Sequence, residues 1–277
     1  MECKVHDVTI FYEEIGSGRP LLLLHGLPLD HRHIANDMEP VFADRRGWRR
    51  LYPDLPGMGK TRATERLTNQ DQILELLIGF IHTIAPGERF VVGGTSYGGY
   101  LARGLVYRLG AQMDGLLLNV PLIETDHSKC HLPQPLVVCE DPAFLAALTP
   151  AEQDMRDFIV IQSMDLLTEF RQVFNPAGAV ADHAFMDRLR QHYAFSFDID
   201  ALPTPFPAPA LFLTGRHDNW CGYREAYRLL DNYPRASFAA LDGAGHALAI
   251  EQKTLFRALV KEWLDRVEEY TRTARCS

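Results

Sequence analysis

The sequence predicts one α/β domain, built on a mostly parallel sheet and interrupted by a helical insertion. Residues 21–24 form an unalternated apolar run, as expected of a strand buried on both faces of a sheet. Further short apolar runs at 90–92, 116–120, 210–214 and 237–241 alternate with helical stripes, which implies crossover connections. From residue 122 to about residue 205 that alternation stops and only helical patterns remain.

In chain order, Val5, Val8, Ile10 and Tyr12 recur at strand spacing, with Gly16-Ser17-Gly18 expected to close a hairpin. The buried strand 21–24 follows, then a short strand at 48–52 stopped by Pro53-Asp54-Leu55-Pro56-Gly57. Thr68 is expected to cap a helix, with Asp71 three residues on and one apolar stripe of Ile73, Leu76, Leu77, Phe80, Ile81 and Ile84. Pro86-Gly87 ends it. After the strand at 90–92 and the turn 93–99 comes a helix carrying Leu101, Leu105, Val106 and Leu109. The insertion is expected to hold helices at 143–148, 152–174 and 183–193, and a proline-rich connector closes it at 203–209. A helix at 225–230 and a last one bearing Leu255, Leu259, Trp263 and Val267 complete the pattern. The expected division is a core of 1–121 and 206–277 around an insertion of 122–205.

Composition narrows the function classes. With 28 Lys+Arg against 36 Asp+Glu, the net charge is −8, and phosphate-backbone binding needs the opposite balance. The pairs Arg45-Arg46 and Arg49-Arg50 around Trp48 read as a solvated edge, so no nucleic-acid partner is expected. No apolar run approaches the ~20 residues of a membrane helix. Cys3, Cys130, Cys139, Cys221 and Cys276 are widely spaced and odd in number, which fits thiols in a reducing cytoplasm. His31 and His33 stand two apart without a third ligand at metal spacing, so neither metal nor cofactor is expected.

Gly94-Thr95-Ser96-Tyr97-Gly98 matches G-x-S-x-G between a predicted strand and a predicted helix. In that context the turn is sharp and lifts the serine hydroxyl clear of the sheet. A serine hydroxyl is a weak nucleophile that needs a base, and the base needs an orienting carboxylate. Gly215-Arg216-His217-Asp218 and Gly243-Ala244-Gly245-His246 each fall just past a strand end, where catalytic groups gather in open parallel sheets. Ser96, Asp218 and His246 also stand in the chain order expected for this turn. Acyl transfer further needs two N–H donors for an oxyanion. Tyr97 follows the serine and supplies one, and Leu27, after His25-Gly26, supplies the other. His25 reads as a brace of that loop and as a pocket candidate.

With His25-Gly26, Asp54-Leu55-Pro56-Gly57-Met58-Gly59, residues 94–98, residues 215–218 and Gly245-His246 in this order, the sequence resembles the α/β-hydrolase superfamily over nearly its whole length. The resemblance implies an eight-stranded, mostly parallel sheet flanked by helices, with a helical cap inserted after the sixth strand. It implies Ser96 as nucleophile, Asp218 as acid and His246 as base. Some relatives take their acid after the sixth strand, which makes Glu124 a reserve candidate. Ser96 argues against the epoxide hydrolases and haloalkane dehalogenases of this fold, which place Asp there. Leu27-Pro28-Leu29 departs from the longer glycine-rich stretch of proline-type aminopeptidases.

The expected activity is hydrolysis of a small, fairly apolar carboxylic ester, thioester or lactone by a monomer or homodimer. The insertion supplies Phe144, Phe158, Ile159, Met164, Phe170, Phe174, Tyr193 and Phe195 to line an apolar pocket over Ser96, with Phe158, Phe174 and Tyr193 the chosen candidates, and Cys221 a packed thiol at its edge. A C–C bond hydrolase, an aminopeptidase or a ligand receptor that keeps the same triad stands as the alternative.

Overall fold

A computed structural model describes residues 1–274; Cys276 lies outside the described residues. Eight strands form one sheet in the order β1-β2-β4-β3-β5-β6-β7-β8. β1 (Glu2–Val5) and β2 (Val8–Gly16) are an antiparallel hairpin, and β2 also runs antiparallel to β4 (Trp48–Pro53). β3 (Arg19–Leu24), β4, β5 (Phe90–Thr95), β6 (Met113–Asn119), β7 (Ala210–Gly215) and β8 (Ala236–Leu241) are parallel. The opening hairpin turns at His6-Asp7, with His6 at φ 53°, and not at the expected 16–18, which instead carries the chain from β2 to β3. β3 pairs with β4 and β5, so it could not have been the partner of β2.

The strand sequences explain the two-sided core. Along β3, Leu22 and Leu24 enter one apolar cluster while Leu21 and Leu23 enter the other, the period-two alternation of a strand covered on both faces. α2 (Gln70–Ile84) and α3 (Tyr97–Leu109) fill the first face, and α1 (His31–Met38) and α11 (Lys253–Ala274) the second. α2 starts one residue later than expected. Asn69 accepts the N–H of Gln72 at 3.1 Å, while Thr68 donates its own N–H to the Gln72 side chain at 2.7 Å. Arg50, expected at a solvated edge, is buried and forked onto Glu39 at 2.7 and 2.8 Å.

Between β6 and β7 the chain forms α4 (Pro142–Ala147), α5 (Met155–Phe158), α6 (Met164–Glu169), a π-helical turn (Phe170–Phe174), α7 (Asn175–Gly178) and α8 (His183–Arg190). The single helix expected over 152–174 is therefore broken. Ile159, Val160 and Ile161 are β-branched and sit extended, bridged to Cys139. Glu251 in α10 (Leu248–Glu251) receives the Val160 N–H at 2.5 Å, which supplies an acceptor a helix would otherwise provide. Residues 126–141 are mainly irregular apart from one turn of 3-10 helix. Phe144, Met155, Ile159 and Leu167 form a small core that closes on Ala247 and Ile250. α9 (Arg224–Arg228) links β7 to β8. Among the described residues, no helix is long and apolar enough to cross a membrane.

Candidate active site

The parallel strands end on one side of the sheet, and three loops meet there. β5 ends at Thr95 and α3 begins at Tyr97, so Ser96 alone makes the turn, at φ 55° and ψ −116°. A left-handed non-glycine residue is strained by about 1–3 kcal/mol and persists only where its surroundings hold it. The flanking glycines make room for it: a Cβ on Gly94 would stand 2.2 Å from the Gly98 oxygen, and one on Gly98 would stand 2.1 Å from the Leu24 oxygen. The backbone then anchors the turn through Ser96 N–H to Asn119 O at 3.0 Å and Leu122 N–H to Ser96 O at 3.0 Å.

His246 faces that hydroxyl. Its Nε2 lies 3.0 Å from Ser96 Oγ, and its Nδ1 lies 2.9 Å from Asp218 Oδ2. Since a carboxylate only accepts, Nδ1 carries the proton and Nε2 is left as the acceptor for the serine O–H. Asp218 is fully buried, and its other oxygen accepts the N–H groups of Trp220 (2.9 Å) and Cys221 (3.0 Å). Burial disfavours an imidazolium at His246, but the Asp218 carboxylate outweighs it and holds the cation well above the ordinary histidine range. The two loops meet because residue 215 is glycine: a Cβ there would stand 2.2 Å from the Gly245 oxygen.

A cavity of about 120 Å³ opens over Ser96 and His246. Phe158 and Phe174 line it, together with Leu27, Phe170, Trp220 and His33. The rings run in contact, from Trp220 on His246 (5.1 Å between centroids) and Phe158 (4.8 Å) to Phe170 against Phe174 (4.6 Å). The Leu27 loop presses on the serine, with a Gly26 Cβ placed 3.4 Å from Ser96 Cβ. Tyr97 opens α3, so its N–H is one of the first-turn donors without an acceptor in the helix.

Two expected pocket residues lie elsewhere. His25 is fully buried beneath the loop, where Nε2 accepts the Leu55 N–H at 2.9 Å. That is the bracing role, with Nδ1 3.0 Å from the Gly26 oxygen, and His25 is not part of the cavity wall. Tyr193 stacks on Tyr97 at 5.7 Å and borders a separate surface depression with Thr68 and Gln191. The helical pattern of 183–193 gave no sign that the chain turns away after Arg190. The reserve acid Glu124 bonds the Asp126 N–H at 2.9 Å, while His246 Nδ1 meets Asp218. Cys221 is buried against His246 and Ser96, and burial pushes its thiol up.

Phe170, one of the insertion's apolar side chains expected over Ser96, lies on the cavity wall. His33 and Glu251 carried no such expectation, and Trp220 stands two residues past Asp218, a proximity that could have drawn notice. Glu251 pins the His246 loop to the insertion: it accepts Gly245 N–H at 2.7 Å and Ile161 N–H at 3.3 Å besides Val160. Glu251→Ala leaves those buried donors without partners. It is expected to destabilise the fold by about 3 kcal/mol, read by denaturant unfolding.

Asp30, His31 and Asp54 bring metal-type donor atoms within 4.8 Å of one another. These atoms pin two loops. Asp54 accepts the N–H groups of His31 (2.9 Å) and Lys60 (2.8 Å) and the His31 ring at 2.7 Å, and Asp30 is forked by Arg32. At the opposite end of the sheet an open groove of about 820 Å³ lies between Arg46, Glu88, Asp114 and Glu268, far from Ser96.

The chain belongs to the α/β hydrolase family, whose model matches residues 21–258. Members of this superfamily are generally hydrolytic enzymes. The AB hydrolase superfamily protein YisY of Bacillus subtilis is 34% identical over 112 residues, which cover 40% of this chain and 41% of that one. The 2-hydroxy-6-oxo-6-(2'-aminophenyl)hexa-2,4-dienoic acid hydrolase of Metapseudomonas resinovorans is 23% identical across 95% of this chain and 90% of its own. Among solved structures, an alpha/beta superfamily hydrolase from Oenococcus oeni PSU-1 superposes with a TM-score of 0.86 at 29% identity, covering 97% of this chain and 99% of that one.

Proposed function

We propose that the protein is a serine hydrolase that cleaves small, apolar carboxylic esters, thioesters or lactones through an acyl-enzyme on Ser96. The observation that carries this reading is the chain Ser96–His246–Asp218, at 3.0 and 2.9 Å, opening into an apolar cavity. His246 takes the serine proton as Oγ attacks the ester carbonyl, and later returns a proton to the leaving group. Asp218 keeps the imidazole in the productive tautomer and stabilises its cation. The N–H groups of Leu27 and Tyr97 receive the oxyanion.

Size supports a short acyl group. About 120 Å³ is slightly less than the ~150 Å³ apolar cavity that takes one benzene, so it accommodates an acyl chain of roughly six heavy atoms. Residues 122–205 act as a cap in this reading, because Phe158, Phe170 and Phe174 close the cavity from above the strand ends.

The Metapseudomonas relative is named for a dienoic acid, which makes C–C hydrolysis the second reading. Among the described residues lining the cavity there is no Arg or Lys to meet such a carboxylate, and an unpaired buried charge is costly. That favours the ester. The test is a panel of acyl esters, lactones, thioesters, aminoacyl amides and a vinylogous dienoate, run on wild type and Ser96→Ala. Fastest Ser96-dependent turnover on C2–C6 esters is expected, and dienoate cleavage at a higher kcat/KM would replace this reading by the second.

Phe174→Ala removes a ring from the cavity wall. It is expected to move the preferred acyl chain at least two carbons longer in kcat/KM, whereas Tyr193→Phe, outside the cavity, leaves the ranking as it was. An unmoved optimum in Phe174→Ala would place the acyl group elsewhere.

A further inference from the structure

Behind the main cavity lies a second, much smaller one of about 20 Å³, sharing His33, Thr95, Phe174, His246 and Ala247 with it. Its remaining polar walls are Asp37 and Asn119. Four of these side chains are nine-tenths or more buried: His33 is 5% exposed, Asp37 6%, Thr95 6% and Asn119 2%. Their bonding is incomplete. Asn119 Nδ2 donates to Thr95 Oγ1 at 3.2 Å, but Asn119 Oδ1, His33 Nδ1 and Asp37 Oδ1 have no protein partner. His33 Nε2 and Asp37 Oδ2 stand 3.7 Å apart, beyond a good hydrogen bond.

Three unpartnered buried polar atoms around one cavity cost about 1–3 kcal/mol each unless something bonds them. The space decides what. Roughly 10–15 Å³ holds one water, so about 20 Å³ takes one water and excludes a carboxylate or a substrate group. His33 and Asp37 themselves are both uncharged near neutrality. Burial, with His25 and His246 nearby, pushes His33 down to about 3. Burial and Glu169 push Asp37 up to about 8, against Asn36, Lys253 and Arg257. A protonated Asp37 can donate, and a neutral imidazole can donate or accept, so a water finds both kinds of partner.

We propose that His33, Asp37 and Asn119 hold one water beside Ser96 and His246, and that this water is the one that hydrolyses the acyl-enzyme. The proposal rests on the Ser96 acyl-enzyme reading above. The water oxygen bonds to the acyl carbon as its proton passes to His246 Nε2. The bond from that carbon to Ser96 Oγ then breaks, Oγ takes the proton from Nε2, and the carboxylic acid leaves. His33 is a positioning residue in this scheme, since it acts on the water and not on the ester.

Stopped-flow hydrolysis of p-nitrophenyl acetate by the full chain separates the two half-reactions. Asp37→Leu, whose side chain borders only the small chamber, is expected to acylate within twofold of wild type in the burst, to deacylate at least tenfold more slowly, and to accumulate acetylated Ser96 visible by mass spectrometry. Added methanol, which enters from the main cavity, should restore turnover by transesterification more in the variant than in wild type. His33→Phe, which also changes the main cavity wall, is read by the ratio of burst to deacylation rate and covers the case in which Asp37→Leu does not fold. A crystal structure of wild type near 1.2 Å is expected to show one water bonded to His33 Nδ1 and Asn119 Oδ1. Equal slowing of burst and deacylation, an unchanged deacylation rate, or a dry chamber overturns the proposal. If wild type forms no acetyl-Ser96 at all, the acyl-enzyme reading fails first, and the two failures are told apart.

Discussion

Ser96→Ala is expected to lower kcat on the best short-chain ester by on the order of 10⁶-fold while leaving the unfolding midpoint within a few degrees of wild type. The size of the loss follows from the geometry. Among the described residues Oγ is the only hydroxyl bonded to His246 Nε2, and without it the base has no nucleophile to activate. What remains is the catalysis that binding and the two N–H donors give to attack by water. The fold should tolerate the change because no side-chain hydrogen bond of Ser96 caps α3; the backbone bonds to Asn119 and Leu122 hold the turn. Two readouts check it, steady-state hydrolysis and labelling by a fluorophosphonate. Labelling of wild type that disappears in the variant is the expected pair of results. A variant with a tenth of wild-type turnover would remove Ser96 from the chemistry.

Asp218→Asn should cost about 10⁴-fold in kcat, because the amide can offer its NH₂ to Nδ1 and favour the wrong tautomer. Its effect on pH dependence has a definite sign. Only neutral His246 accepts the serine proton, so kcat/KM is lost as pH falls through the histidine pKa of the free enzyme. In wild type Asp218 raises that pKa above the ordinary 6.5, and the acidic limb belongs above that pH. Without the carboxylate, burial is left as the main influence and favours the neutral ring. The residual activity of Asp218→Asn should therefore persist to lower pH than wild type. A limb that does not move would mean that another group controls it. A mild Asp218→Asn beside a severe Glu124→Gln would transfer the acid role to the loop after β6, although Glu124 is bonded to the Asp126 N–H.

Much of the frame was readable from residues alone. Buried strands reveal themselves because both faces need apolar side chains, as in Leu21 to Leu24, and each strand end is followed by the loop that the sheet needs to turn. The Gly94 half of the G-x-S-x-G spacing is also local, since its Cβ would meet the Gly98 oxygen four residues on, whereas Gly98 answers to Leu24 at the end of β3. What failed was whatever depends on a partner distant in the chain. Residues 152–174 have helical composition, yet Glu251, about ninety residues on, draws Val160 and Ile161 into an extended stretch. The one-residue slip at the start of α2 is local instead: Thr68 and Asn69 are both sound caps by residue type, and the pairing with Gln72 chose between them.

The pocket shows the same division. The order of Ser96, Asp218 and His246 follows from strand ends, so it is written in the chain. The distances of 3.0 and 2.9 Å between them depend on how the β7 and β8 loops pass each other at Gly215 and Gly245. Likewise no spacing rule separates Phe174, which faces the cavity, from Tyr193, which stacks on the far side of Tyr97. Nor does any local pattern bring His33 of α1, Asn119 of β6 and His246 after β8 to one 20 Å³ chamber. Sequence by itself determines where strands are buried and which turns are sharp, because those demands fall on neighbouring residues. Which side chains then share a wall is decided by tertiary packing, because that demand couples residues that meet only after the sheet is assembled.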